Sequence, residues 1–150
     1  MWQHSYSKTV SDISAAELWA VWSDVNQWHT WQPDIDSATL EGTFSAGAVL
    51  RFKPKGGPLI PITLTEVEPE RLFVDLTRFP GAEMLDDHEI IPHAKGIEIK
   101  TTIRLKGPLA WLWRRLVVND IVKGLPAQTD QLIARVLRVR EQHQPQHSNA

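Results

Sequence analysis

The sequence contains no cysteine, and this absence excludes several kinds of site. Without thiols the chain has no cysteine nucleophile, no disulfide and no thiolate ligands for zinc or an iron–sulfur cluster. It also lacks a glycine-rich phosphate-binding motif, and charged residues interrupt every apolar run before it could span a membrane. We therefore predict no cofactor and no metal site. Because residues 1–10 lack the pattern of a secretory signal, we expect a cytoplasmic protein.

Tryptophan is abundant where tyrosine is scarce, with seven Trp against one Tyr in 150 residues. Such large rings need burial and a partner for the ring N–H, so this count indicates a bulky core or an aromatic-lined cavity. Four of them, Trp19, Trp22, Trp28 and Trp31, follow one another closely along the chain. Core packing is the more frequent role for such residues, and contact with a ligand is the alternative.

The net charge is only −2, but its sign changes along the chain. Residues 107–140 carry six Arg and Lys against two Asp, whereas residues 1–106 carry ten against fifteen acidic residues. Cations also gather in the last turns of helices because they interact favourably with the helix dipole. Since no basic run or recognition motif accompanies the positive segment, we predict no binding of nucleic acid.

Strand and helix patterns follow one another in a clear order over the first two thirds of the chain. Residues 2–11 alternate as a strand with one inward face. Ser14 and Glu17 form a capping-box pattern that predicts a short helix, and residues 26–31 form a second one before Pro33. Six further strands are predicted between Gly and Pro residues, over residues 37–41, 48–53, 60–67, 71–78, 83–91 and 97–105.

The longest helical pattern covers residues 107–140, beginning with Pro108 at a position that suits the first turn of a helix. Gly124 and Pro126 predict a kink or a short break in this helix. Its apolar stripe is predicted to comprise Leu109, Leu112, Trp113, Leu116, Leu125, Leu132, Ile133 and Val136. The polar residues 141–150 are predicted to be a disordered tail, which leaves a single domain over residues 1–140.

The predicted order of elements indicates an α+β fold. About seven antiparallel strands form a curved sheet wrapped around the long C-terminal helix, with two short helices after the first strand. A sheet of this kind covers one helix incompletely. We therefore expect a cavity between the sheet and the helix.

Three segments resemble one known superfamily. They are WSDVNQWHTWQPDI at residues 22–35, DHEI at residues 87–90 and GPLAWLWRRLVVNDIVKGLP at residues 107–126. Together with the order of elements, they resemble the START-like or SRPBCC superfamily with the helix-grip fold, in particular its polyketide cyclase/dehydrase branch. The resemblance covers nearly the whole chain. It implies a deep apolar cavity that binds lipids, polyketides or other hydrophobic molecules, and only some members of the superfamily are enzymes.

The alternation of charge in the strands predicts which side chains face this cavity. In residues 83–91 we expect Met84, Asp86 and His88 to face inward, because Asp87 can match the cations of the next strand on the outer face. In residues 71–78 we expect Leu76 and Arg78 to face inward, along with Leu72 and Val74, and we expect Asp75 and Thr77 to face solvent. Asp86 could then orient His88 as a general base while Arg78 stabilises an enolate. Alternatively, Asp86 and His88 form a buried pair that only fixes the strand register or the orientation of a ligand.

The predicted site therefore has a catalytic pair, His88 and Asp86, and a set of ligand contacts. The ligand contacts are Tyr6, Trp22, Trp28, Trp31, Phe52, Leu76, Arg78, Met84, Trp113 and Leu116. Aromatic and cationic residues around Trp111 and Arg115 suggest transient contact with an anionic membrane surface, although pairing with acidic protein groups explains them equally well.

Three functions fit these observations. The first is binding of a hydrophobic or amphipathic small molecule in the cavity. The second is a cofactor-independent cyclase, dehydratase or isomerase that uses His88 and Asp86. The third is a protein-interaction module, for which we would expect an exposed apolar patch rather than a closed cavity. The sequence does not indicate an oligomeric state.

Overall fold

The computed structural model describes residues 1–143, which form a curved antiparallel sheet and a long C-terminal helix. The helical elements are α1 (Ala15–Trp22), a 3₁₀ helix (Val25–Thr30), α2 (Ala110–Trp113), a π-helical turn (Arg114–Val118) and α3 (Asn119–His143). The strands are β1 (Trp2–Val10), β2 (Ile35–Thr39), β3 (Val49–Pro54), β4 (Ile60–Glu68), β5 (Leu72–Phe79), β6 (Ala82–His93) and β7 (Gly96–Lys106). The predicted helix-grip arrangement is thus confirmed.

The seven strands form one sheet in the order β1-β7-β6-β5-β4-β3-β2, and every neighbouring pair is antiparallel. Consecutive strands from β2 to β7 form a meander, and β1 lies beside β7 as the edge strand on that side of the sheet. Between β6 and β7, the Arg104 guanidinium donates to Asp87 at 2.8 Å on the outer face. This pair confirms the predicted charge match and fixes the inner face of β6.

The short helices begin as the sequence predicts. The Ser14 hydroxyl accepts a bond from the Glu17 backbone N–H at 3.2 Å, and the Glu17 carboxylate accepts one from the Ser14 N–H at 3.0 Å. This capping box satisfies two N–H groups that a helix start would otherwise leave unpaired. Trp28 then donates its ring N–H to the Trp22 carbonyl at 3.0 Å. The bond ties the 3₁₀ helix to the end of α1.

The C-terminal helix differs from the prediction in the place where it becomes irregular. Helix α3 runs through Gly124 and Pro126 without a break, and the irregular turn lies earlier, at Arg114–Val118. A π turn adds a residue and rotates the helical faces beyond it. Leu116, within this turn, is 60% exposed, whereas Val118 at its end is fully buried. The predicted stripe is wrong at Leu109 and Leu116, which are exposed, and correct at Leu125, Leu132 and Val136, which are buried.

Ion pairs join α3 to the acidic part of the chain. Arg140 donates to both carboxylate oxygens of Glu17, at 2.7 and 2.8 Å, and Lys8 pairs with Asp130 at 2.6 Å. Part of the charge asymmetry is therefore balanced within the molecule. Helix α3 continues to His143, so the structure is helical in the first residues of the predicted tail, and residues 144–150 lie outside the described residues.

Large apolar side chains are exposed where α2 and the π turn leave the sheet. Leu109, Trp111 and Leu116 are 38%, 57% and 60% exposed. This is the segment for which membrane contact is predicted, and that contact stays a prediction. None of the helices in residues 1–143 combines the length and the apolar character needed to cross a membrane.

The buried apolar side chains form two clusters. The first packs the short helices on β2–β5 and includes Trp28, Phe73 and Leu132. The second packs the start of the C-terminal helix on β6 and β7 and includes Met84, Val118 and Leu125. Helix α3 contributes to both clusters, which places its central part between them.

Candidate functional site

A cavity of about 420 Å³ lies between the inner face of the sheet and α3. It is lined by residues of β2 to β7, by the two short helices and by the stretch of the C-terminal helix from Val117 to Leu132. Its aromatic walls are Trp22, Trp28, Trp31, Phe52, Phe73 and Phe79, and its aliphatic walls include Leu50, Ile60, Ile62, Met84, Ile99 and Ile121. Such a concave and mostly apolar space is typical of small-molecule sites.

One polar cluster interrupts the apolar wall, where β5 and β6 run side by side. Asp75 lies directly opposite Asp86, and Phe73 lies opposite His88. His88 Nε2 is 3.1 Å from Asp75 Oδ2 and 3.4 Å from Asp86 Oδ1. A single ring N–H serves one oxygen at a time, and Asp86 Oδ1 is buried without a hydrogen-bond partner among the described residues.

Aromatic rings fix the position of the imidazole within this cluster. The Phe73 ring stacks on His88 with 4.1 Å between ring centroids, and the Trp22 ring meets it edge-on at 5.6 Å. The side chains of His88, Asp75 and Asp86 are only 12%, 13% and 17% exposed. Solvent therefore screens these charges weakly.

Burial and mutual attraction shift the protonation of this cluster. Burial raises the pKa of Asp86 to about 7, against the opposing attraction of His88, and the neighbouring charges of Asp75 and Asp87 add to the rise. Burial alone would lower the pKa of His88, but attraction to Asp86 and the hydrogen bond with Asp75 raise it instead. Near neutral pH the cluster can therefore both accept and release protons.

The predicted faces are right for β6 and wrong for β5. Met84, Asp86 and His88 line the cavity, as expected. On β5, however, the cavity is lined by Phe73, Asp75, Thr77 and Phe79, which are the residues that alternate with the predicted ones. Leu76 and Arg78 lie on the opposite face, where Arg78 pairs with Glu83 at 3.2 Å. The difference has a physical reason: Asp75 is charged but does not face solvent, because it is buried and bonded to His88.

The remaining predicted contacts divide into two groups. Trp22, Trp28, Trp31 and Phe52 line the cavity. Tyr6, Trp113 and Leu116 do not: Tyr6 and Trp113 pack against the second apolar cluster, and Leu116, within the π turn, is exposed. Trp113 stacks on Phe79 at 4.6 Å and donates its ring N–H to the Pro80 carbonyl. Its role is to hold α2 against the β5–β6 turn.

Several polar groups of the cavity have no counterpart among the predicted site residues. Gln128 of α3 donates to the Gln32 side chain at 2.9 Å, across the gap between α3 and the short helices. Thr129 is buried in the same wall and donates to the Leu125 carbonyl. Beside them, the ring N–H of Trp31, which is a predicted ligand contact, is buried without a partner among the described residues. These residues come from distant parts of the chain, so no local spacing joins them.

The polar cluster also has the composition of a cation site. Asp75, Asp86 and His88 each offer one ligand atom, and these atoms all lie within 4.8 Å of one another. Two carboxylates and one imidazole suit a divalent cation with open positions for other ligands. The sequence-based expectation of no metal stays a prediction, and none of the steps below requires a metal.

Solved structures with the same fold are distant in sequence. The chain is similar to norcoclaurine synthase from Thalictrum flavum in complex with dopamine and hydroxybenzaldehyde, with a TM-score of 0.70 and 18% identity over 91% of this chain and 87% of that one. A hypothetical protein from Helicobacter pylori gives a TM-score of 0.73 and 15% identity, covering 90% and 88% of the two chains. The protein Ara h 8.0201 gives 0.70 and 14%, covering 91% and 99%.

A family model identifies the chain more directly than these structures do. None of the curated proteins compared matches the sequence significantly. The model described as polyketide cyclase / dehydrase and lipid transport, however, matches residues 1–136, which is most of the chain. The match agrees with the seven-stranded sheet and the long helix over it. The chain therefore belongs to the polyketide cyclase / dehydrase and lipid transport family.

Proposed function

We propose that this protein binds a hydrophobic or amphipathic small molecule, lipid-like or polyketide-like, in the cavity between sheet and α3. The observation that carries the proposal is the cavity itself, about 420 Å³ with six aromatic side chains in its wall. Burying a ligand there removes apolar surface from water on both partners, at about 25 cal/mol per Å². The description of the family, which includes lipid transport, supports the same conclusion.

Ligand binding is tested first by native mass spectrometry of freshly purified protein, followed by titration with a panel of apolar compounds. Trp22, Trp28 and Trp31 line the cavity, so binding should change the tryptophan fluorescence. A ligand at a hundredfold excess over its Kd should raise the unfolding free energy by about 2.7 kcal/mol. If no compound co-purifies and none of the panel stabilises the protein, the proposal is wrong.

A matched pair of variants locates the binding. Thr101 lines the cavity from β7, and Thr101→Phe should fill part of it and weaken binding. Lys100 is its neighbour on the outer face, opposite Glu89 in the strand register, so Lys100→Phe should leave binding unchanged. Equal effects of the two substitutions would place the ligand elsewhere.

The polar cluster favours a second candidate function, cofactor-independent acid–base catalysis of the cyclase, dehydratase or isomerase kind. His88 would take a proton from a carbon next to a carbonyl group, and Asp75 would stabilise the resulting imidazolium. Protonated Asp86 would donate its proton to the carbonyl oxygen, leaving an enol. Arg78 is outside the cavity, so the protonated carboxyl takes the role expected of that cation. The burial of Asp86 and its raised pKa support this assignment.

Proton abstraction is tested with a simple ketone. Benzylacetone in heavy water should exchange the hydrogens next to its carbonyl faster in the presence of the protein, as measured by NMR. His88→Gln should abolish the acceleration and keep the binding of the ketone. The control is His93→Gln on the same strand, since His93 is exposed and pairs with Glu98 at 2.8 Å. Unchanged exchange in His88→Gln would dismiss the catalytic role.

A further inference from the structure

Aspartates outnumber cationic side chains in the described part of the cavity wall. Four aspartates line it, Asp34, Asp75, Asp86 and Asp120, and no Lys or Arg in residues 1–143 does. A low-dielectric cleft lined by one sign of charge concentrates the field and attracts ions of the opposite sign. His88 is the one lining group among these residues that can carry positive charge, and it lies between two carboxylates.

The four aspartates differ in their exposure to solvent. Asp34 and Asp120 are exposed, whereas on the inner face of the sheet Asp75 is buried and the Asp86 side chain is only 17% exposed. Lys53 precedes the lining residue Pro54, but its ammonium group is already paired with Asp36 at 2.6 Å. A carboxylate ligand entering this cavity would lose its hydration and meet no lysine or arginine in the described wall. Burying an unpaired charge in this way is strongly unfavourable.

The buried carboxylate also lacks a hydrogen-bond donor. Asp86 Oδ1 is inaccessible to solvent and has no partner among the described residues, because Nε2 of His88 already bonds to Asp75. An ammonium group carries three N–H donors. It could bond to both side chains, which are 13% and 17% exposed, and it would favour the ionised form of Asp86.

We propose that the cavity selects apolar molecules that carry a protonated amine, with the ammonium group at Asp75 and Asp86, and that it rejects carboxylates of the same hydrocarbon. This inference rests on the proposed binding function and specifies its ligand class. It separates the protein from a carrier of fatty acids, whose head group has the wrong charge for this wall.

Three ligands that share one hydrocarbon test the charge preference. Phenylbutylamine, phenylbutanol and phenylbutyrate are titrated into the protein by calorimetry at neutral pH. The amine should bind about tenfold tighter than the alcohol, and the carboxylate about tenfold weaker than the alcohol, because attraction to buried aspartates outweighs part of the desolvation cost. Binding of phenylbutyrate as tight as that of phenylbutylamine overturns the inference and leaves the binding function standing.

Charge-removing variants locate the preference. Asp86→Asn and Asp75→Asn should reduce the affinity for phenylbutylamine to that for phenylbutanol, while the affinity for phenylbutanol stays the same and reports an intact cavity. Asp87→Asn is the control, because Asp87 is the next residue on β6 and lies on the outer face with Arg104. An equal loss in Asp87→Asn overturns the inference. If one Asn variant fails to fold, the ranking of the three ligands on the unmodified protein decides. If none of the three binds, the inference is overturned, and the panel titration decides separately whether the cavity binds a ligand.

Discussion

Asp86 is a carboxyl group whose ionisation costs the folded protein free energy. Its pKa rises from 3.8 to about 7 on folding, so between these values the folded state binds more protons than the unfolded state. The unfolding free energy must then fall as pH rises through this interval. The pKa of His88 is also raised, above its usual 6.5, so its stabilising contribution is present below 6.5 and is lost as pH rises through the folded value. Both groups act in the same direction.

Asp86→Asn should therefore flatten the dependence of stability on pH. Urea unfolding of the unmodified protein should show a decrease in unfolding free energy from about pH 5 to about pH 8. At about pH 8 the Asp86→Asn variant should be about 2 kcal/mol more stable than the unmodified protein. Asp36→Asn serves as the control: the bond to Lys53 lowers the pKa of Asp36, so that carboxyl group is ionised throughout this range and the slope should persist. A slope unchanged in Asp86→Asn would contradict the assignment.

The residues of the cluster also show what the sequence can predict about a site. Asp86 and His88 were placed correctly because Asp87, between them, has a visible charge partner in Arg104 of the next strand. Asp75 was placed on the wrong face because its partner, His88, is thirteen residues away and on another strand. A buried aspartate looks like a solvent-facing one until the pairing of strands is known. Only the register of β5 against β6 therefore shows that Asp75 belongs to the cluster with Asp86 and His88.

At the scale of elements, most of the fold followed from local patterns. The sequence predicts the strands to within a few residues because Gly and Pro flank them. The capping box likewise predicts the start of α1. The sequence locates the C-terminal helix. It predicts the buried face of this helix correctly only after the irregular turn. Periodicity assumes a constant number of residues per turn, and the π turn at Arg114–Val118 breaks that assumption without a Gly or Pro to mark it. Pro126, the expected breaker, lies within α3 between the buried residues Leu125 and Leu132.

Two glycines, one before the C-terminal helical elements and one within α3, should respond oppositely to the same substitution. Gly107 connects β7 to α2 with a φ of +119°, and a Cβ there would lie 2.6 Å from the Gly81 carbonyl oxygen and 2.8 Å from the Ala82 Cα. Gly107→Ala should thus cost about 2 kcal/mol or more, since neither the strained φ nor these backbone atoms can easily relax. Gly124 lies in α3, and a Cβ there would meet nothing within 4 Å.

Gly124→Ala should accordingly leave the fold intact and stabilise it by about 0.5–1 kcal/mol through helix propensity. Both variants are measured by denaturant unfolding without ligand, because Gly124 lines the cavity. If both substitutions destabilised the protein, the backbone of α3 near Pro126 would not follow the usual preference of a helix for Ala over Gly. A neutral Gly107→Ala would mean that the connection between sheet and helix is looser than its close contacts indicate.

At the scale of the whole molecule, the cavity borders two apolar clusters that share one helix. Leu132 and Val136 belong to the cluster with the short helices, and Val118 and Leu125 belong to the cluster on β6 and β7. The strands are likewise shared, since β6 provides Ile90 to the first cluster and Met84 to the second. Neither cluster can lose its packing while α3 and the sheet remain in place. We therefore expect the molecule to unfold as one cooperative unit despite the cavity between the clusters.

Truncation of one buried leucine in each cluster tests this coupling. Leu125 and Leu132 are 2% and 3% exposed, so Leu125→Ala and Leu132→Ala should each lower the unfolding free energy by about 2–4 kcal/mol. Native-state hydrogen exchange should report the same loss at slowly exchanging amides of β4 and of β7, whichever leucine is changed. Leu116→Ala is the matched control, because Leu116 is 60% exposed and should change stability by less than about 0.5 kcal/mol. If Leu125→Ala lowered protection in β7 and left β4 unaffected, the two clusters would be separate units, and a ligand between them would then serve to join them.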